Sequence, residues 1–211
     1  MKTFKLPILI LLAFFMSGNL QAQLIGGKKN ADNGAAEMDA KAAFDAGIQE
    51  GRIAARKRLK PYKYDGTKST RFNYKTYTHA KEVEVLTIEK TDYKFCFDGN
   101  MIKSDNISVE IYDKPIGAPG RTLLFQKEDV GPGEFEVSLE EMNEIFRAEK
   151  AKTTSLKPEI VAQMRLKKVY VDYIIPAVDR EVSLNVEDGN QDQTTIIQFS
   201  AVVLAVGYKF M

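Results

Sequence analysis

Asn106–Leu139 reads NISVEIYDKPIGAPGRTLLFQKEDVGPGEFEVSL, and the fold class turns on it. Ile107, Val109 and Ile111 alternate with Ser108, Glu110 and Tyr112, the period-two signature of a strand with one buried face. Gly117-Ala-Pro-Gly120 breaks the chain, and Leu123, Leu124 and Phe125 restart it. Gly131-Pro-Gly133 breaks it again before Phe135, Val137 and Leu139 alternate with Glu134, Glu136 and Ser138. Strand, turn, strand, turn, strand is the grammar of an antiparallel sheet.

The same grammar extends on both sides. Upstream, strands are expected over Phe72–Thr78, Glu82–Glu89 and Asp92–Asp98. The last has Tyr93, Phe95 and Phe97 on one face and Cys96 on the other, and Asp98-Gly99 reads as a turn. Downstream, Val169, Val171, Tyr173 and Ile175 alternate, as do Val182, Leu184 and Val186. The turn Glu187–Asp192 leads into a last segment from Thr194 to Phe210, apolar in both phases over Ile196–Val206 as a central strand would be. About eight or nine strands are the number of a two-sheet sandwich, so the fold class is mainly β, an antiparallel β-sandwich over 72–211. Two short helices interrupt it. Ser138 and Glu141 have the capping-box spacing for a helix over Ser138–Ala151, and Pro158 opens another to Met164.

Residues 1–22 read as a secretory signal peptide. Lys2 and Lys5 precede the apolar run Leu6–Met16, and small and polar residues follow to Ala22. The run is too short for a transmembrane helix. The chain is therefore expected to be exported, to the periplasm, outer-membrane surface or extracellular space. Cleavage after Ala22 removes two lysines, so the formal charge goes from +1 to 1 − 2 = −1. A neutral chain has no global electrostatic attraction for nucleic acid. A single cysteine, Cys96, makes no internal disulfide and is expected as a buried free thiol.

Residues 23–34 read as a flexible linker, 35–59 as a helix and 60–71 as a second linker. The helix carries one narrow apolar stripe, with Gly47 and Gly51 in step with Ala43 and Ala55. Two interior glycines cost a helix about 1 kcal/mol each against alanine, so something must pack closely there. Two partners compete: the helix lies across its own β domain, or Phe44, Gly47, Ile48, Gly51 and Ala55 dock a protein partner or a second copy.

Motifs of catalysis are sparse. His79 is the only histidine and reads as an exposed loop residue; no Gly-x-Ser-x-Gly elbow, zinc spacing or phosphate-binding glycine loop occurs. The expectation is no enzyme and no cofactor, with calcium the one metal candidate. Asp188, Asn190 and Asp192 place oxygens at alternate positions, as do Asp98 and Asn100. The ending Val-Gly-Tyr-Lys-Phe-Met leaves a small outer-membrane β-barrel as an alternative, with membrane association but no transmembrane helix.

Val109-Glu-Ile-Tyr-Asp113, then Gly117-Ala-Pro-Gly120 and Leu123-Leu124, resembles part of a jelly-roll module of secreted adhesins and surface proteins. The leader ending Gln21-Ala-Gln23 is similar to those of Bacteroidota-type bacteria. The resemblance spans about 30 residues, implies a jelly-roll-like sandwich and a surface lifestyle, and carries no site residue. The function expected is an interaction or structural subunit of the cell envelope, or a carbohydrate-binding module using Tyr and Phe to hold a glycan.

Overall fold

The computed structural model describes residues 31–103, 105–178 and 199–211, with side chains from residue 40 onward except that of Phe199. The chain divides into two units, Met1–Met38 and Asp39–Met211. The described part of the first is the helical stretch 31–38, and all the described strands lie in the second.

The elements run helix α1 (Ala31–Arg58), strands β1 (Lys63–Asn73), β2 (His79–Leu86), β3 (Thr91–Met101), β4 (Ile107–Tyr112), β5 (Leu123–Val130) and β6 (Glu134–Ser138). Helices α2 (Leu139–Thr153) and α3 (Pro158–Gln163) follow, then strands β7 (Lys168–Ile175) and β8 (Phe199–Phe210). The described strands form two four-stranded antiparallel sheets, ordered β1-β8-β3-β6 and β2-β7-β4-β5. The pairing is nested: first strand with last, second with seventh, third with sixth, fourth with fifth. The described strands form two sheets rather than one closed ring.

The stretch 106–139 supplies β4, β5 and β6, but they do not share one sheet. Strands β4 and β5 pair in the second sheet, while β6 joins β3 in the first. Gly133, at φ 149°, takes a conformation closed to other residues as the chain crosses between sheets.

One apolar cluster draws on both sheets. The first contributes Phe72, Tyr93, Phe95, Phe97, Val202, Leu204 and Val206; the second contributes Ile107, Val109, Ile111, Val169, Val171 and Tyr173. Helix α2 adds Leu139, Met142 and Phe146 from its apolar stripe. Its start is the expected capping box: the Glu141 backbone N–H donates to Ser138 Oγ at 3.2 Å, and the Ser138 N–H donates to Glu141 Oε2 at 3.1 Å.

The other phase of β8 explains the glycines of α1. Ala201, Val203 and Ala205 form a second buried cluster with Ile48, Ala55, Leu59, Cys96 and Met101, against which Phe44 packs. A methyl on Gly47 would stand 2.4 Å from Met101 Sδ, and one on Gly51 would stand 3.0 Å from Asp98 Oδ1. Small residues on both helix and strand let the two approach closely. Cys96 is buried and free, on the face opposite Phe95 and Phe97.

Several expectations need correction. The supposed linker 60–71 holds most of β1, an edge strand of polar sequence in which only Phe72 is buried. It forms because β8 offers a full ladder of backbone partners from Tyr208 to Phe199; its lysines, threonines and arginine suit an edge. The expected strand at Phe72–Thr78 is thereby moved toward the N-terminus. Helix α1 begins at Ala31, inside the stretch 23–34 read as linker. Asp98-Gly99 makes no hairpin turn; β3 runs on to Met101, with an irregularity against β8. Gly99 is required there for another reason, since its Cβ would lie 2.6 Å from the Gly131 carbonyl oxygen. The expected strand at Val182–Val186 lies outside the described residues.

Candidate functional site

The two sheets differ in what lies on their outer faces. The first is covered by α1. On the second, alternation along β7 sends Val169, Val171, Tyr173 and Ile175 into the core and leaves Tyr170 and Asp172 on the far side. Register then builds a row across the sheet. Asp172 faces Glu82 of β2 on one side and Glu110 of β4 on the other, and Glu110 faces Gln126 of β5. The adjoining row is Glu84, Tyr170 and Tyr112.

The β4–β5 connection, residues 113–122, folds back over these rows. Gly117 and Gly120, at φ 83° and 61°, permit the reversal. The Thr122 N–H donates to Asp113 Oδ1 at 2.6 Å, and Arg121 Nε donates to the Lys114 carbonyl at 2.7 Å. These contacts aim the Arg121 guanidinium at the acidic row. Its Nη2 lies 2.7 Å from Asp172 Oδ2 and 3.2 Å from Glu82 Oε2, and its carbon sits 3.6 Å from the centre of the Tyr112 ring. Glu82 Oε2 also accepts the Ile116 backbone N–H at 2.6 Å.

Tyr112 OH donates to Glu110 Oε2 at 2.7 Å. Burial, followed by that hydrogen bond to a carboxylate, pushes the Tyr112 phenol up to about 12, so it stays a donor at neutral pH. Asp172 is 1% exposed. Burial raises its pKa above the ordinary aspartate value; Arg121 opposes the shift, and the charges of Glu82 and Glu110 reinforce it. Its Oδ1 is buried without a hydrogen-bond partner. A buried oxygen left so is costly unless some donor comes to it.

The structure places the sequence-derived candidates elsewhere. Phe44, Gly47, Ile48, Gly51 and Ala55 all face the chain's own first sheet, so they offer no free docking stripe. This corrects the partner reading of the helix. Asp98 is buried, and both its oxygens accept from Asn100, at 3.1 and 3.0 Å, so that pair is committed to a local turn rather than to calcium. Asp188, Asn190 and Asp192 lie outside the described residues. Among the described residues no group of histidine, cysteine and carboxylate side chains is arranged to hold a metal ion. His79 is not a loop residue; it opens β2 opposite Ile175, half-buried, with Tyr77 beside it and both ring nitrogens unpartnered. No described helix is long and apolar enough to cross a membrane.

Sequence reading saw Glu110 and Tyr112 as the outward phase of a strand, but it missed the site. Glu82 and Asp172 lie far from them in sequence and meet them through strand register, while the fold of the loop 113–122 brings Arg121. One signal was present: an aspartate in the middle of the apolar run Val169–Ile175.

No protein-family model matches this chain, and no curated protein matches it.

Proposed function

We propose that this chain is an exported, non-catalytic jelly-roll module that works by binding, as an interaction subunit of the cell envelope or cell surface. The nested strand order, β1-β8-β3-β6 facing β2-β7-β4-β5, supports the jelly-roll assignment, in which two four-stranded sheets wrap as two Greek keys. Export rests on the residues 1–22, and the absence of catalysis rests on the sparse nucleophile and base chemistry of the sequence.

The observation that carries the binding reading is the asymmetry of the two outer faces. Helix α1 consumes one. The other carries the row Glu82, Asp172, Glu110 and Gln126 beside the half-buried Tyr112, with a carboxylate oxygen of the buried Asp172 unsatisfied. Binding surfaces of this kind combine a few placed polar groups with aromatic area.

The test is retention of ligands from a peptide and glycan panel by the mature chain, compared with an E110A/Q126A variant and with an E50A variant on α1. Binding lost in the first variant and kept in the second is expected. Binding unaffected by E110A/Q126A, or no binding at all, overturns the assignment of the face. A glycan is the second reading, favoured by the half-buried Tyr112 on that face, since tyrosine rings are stacking platforms.

A further inference from the structure

Resting on the reading that the outer face of the second sheet is where this chain binds, we propose that it takes a cationic group, the ammonium or guanidinium of a basic peptide segment, held by Glu82, Glu110 and Asp172 beside Arg121. The first argument is charge. One guanidinium among three carboxylates leaves two negative charges unbalanced in the cluster. The neighbouring pair, Lys168 with Glu84 at 3.5 Å, is already balanced and contributes no surplus cation.

The second argument is the orphaned oxygen. Arg121 satisfies Asp172 Oδ2, while Oδ1, in a residue 1% exposed, has no donor. A carboxylate oxygen without a donor asks for an N–H or O–H. A hydroxyl would fill that position but leave the charge unbalanced; a cation answers both. An anionic ligand meets repulsion.

Arg121 itself shows what the cluster accepts. Its guanidinium is held between Asp172 and Glu82 and stacked on Tyr112 at 3.6 Å, the geometry of a guanidinium cage. A second cation would sit on the Glu110 side of Asp172, toward exposed Gln126. Glu110 and Arg121, which flank Asp172, are only half-buried, so entry requires side-chain rotation and no change of strand register. The chain as a whole is close to neutral, so attraction of basic peptides by net charge alone is weak.

The experiment is calorimetric titration of the full mature chain at pH 7 with four peptides or sugars: acetylated tetralysine amide, tetra-arginine amide, tetraglutamate amide and a neutral oligosaccharide panel. Binding of the two cationic peptides, absent for tetraglutamate, is expected, and E110Q should weaken it about tenfold, as loss of one charge partner does. D172N, matched to the parent in circular dichroism, should do the same, and E50Q on α1 should change nothing. Equal affinity of parent and E110Q for the cationic peptides overturns the proposal. Oligosaccharide binding that is lost in E110Q, with no peptide binding, overturns the cation and leaves the binding face standing. No binding by any probe overturns both.

Discussion

Asp172 and Arg121 are the residues whose energetics are most exposed to test. A buried ion pair contributes little net stability when intact, yet losing one partner strands the other. Arg121→Ala leaves a buried carboxylate uncompensated and should cost about 3 kcal/mol. Asp172→Asn keeps the shape and removes the charge, and should cost about 1 kcal/mol. The double variant should be more stable than Arg121→Ala alone, a sign of coupling that urea unfolding of all four proteins would read. The pH dependence has a definite sign as well. Because the Asp172 pKa is raised on folding, its contribution is fully present below its ordinary value of 3.8 and is lost as pH rises through the folded value. The glycines of α1 make a second pair of tests. A methyl at Gly47 meets the flexible end of Met101, so Gly47→Ala should be near neutral once the gain of about 1 kcal/mol in helix propensity is counted. At Gly51 the obstacle is the Asp98 carboxylate, held by Asn100, so Gly51→Ala should destabilise by about 1 kcal/mol and Gly51→Leu by about 3 kcal/mol. Thermal melts of the three variants would show whether the order holds.

At the scale of elements, the local signals worked where an element carries its own instructions. Helix α2 has a cap, an apolar stripe and basic residues in its last turn, all legible from Ser138 onward. Ser138→Ala removes the side-chain acceptor for the Glu141 N–H and should cost about 1 kcal/mol, with the loss measured by chemical denaturation. Strand β1 is the opposite case. Its residues Lys63–Asn73 lack alternation because only its C-terminal end reaches the core, at Phe72. What makes it a strand is the neighbour β8, which no window of its own sequence contains. The loop 113–122 stands between these cases: its glycines announced a reversal, but nothing local announced that Arg121 would land on Asp172.

For the whole molecule, α1 acts as the cover of the first sheet. Removing residues 1–58 should expose Ala201, Val203, Ala205 and Cys96 together, giving a chain that self-associates and whose thiol reacts with a disulfide reagent. In the intact chain Cys96 is buried, and burial pushes its thiol up, so reaction under native conditions should be slow. An intact chain whose thiol reacts as fast as free cysteine would contradict the packing of α1 on its sheet. Acid stability is set by a different group of residues. Glu136 is lowered, first by its hydrogen bond to Lys94 and then by Arg58, and Glu140 is lowered first by Arg147 and then by Arg165. Their stabilisation is fully present above the ordinary glutamate value of 4.5 and is lost as pH falls through the lowered values. Lys94→Met should therefore flatten the decline of melting temperature on acidification, opposite in sense to the effect of Asp172.

What the sequence alone determined is the set of features written within a few residues: the strands on either side of Gly117–Gly120, the capped helix after Ser138, the proline-started helix at Pro158, the two-faced β8 and the free Cys96. Period, cap and turn are short-range physics, and a chain read in windows displays them. Tertiary structure alone decided which sheet each strand joined, that the small-residue stripe of α1 serves the chain's own sheet, and that Glu82, Glu110, Arg121 and Asp172 meet. Those outcomes depend on register and on which apolar faces are left to be buried. Both are properties of the assembled strands, where one residue's neighbours are chosen by the pairing of all the others.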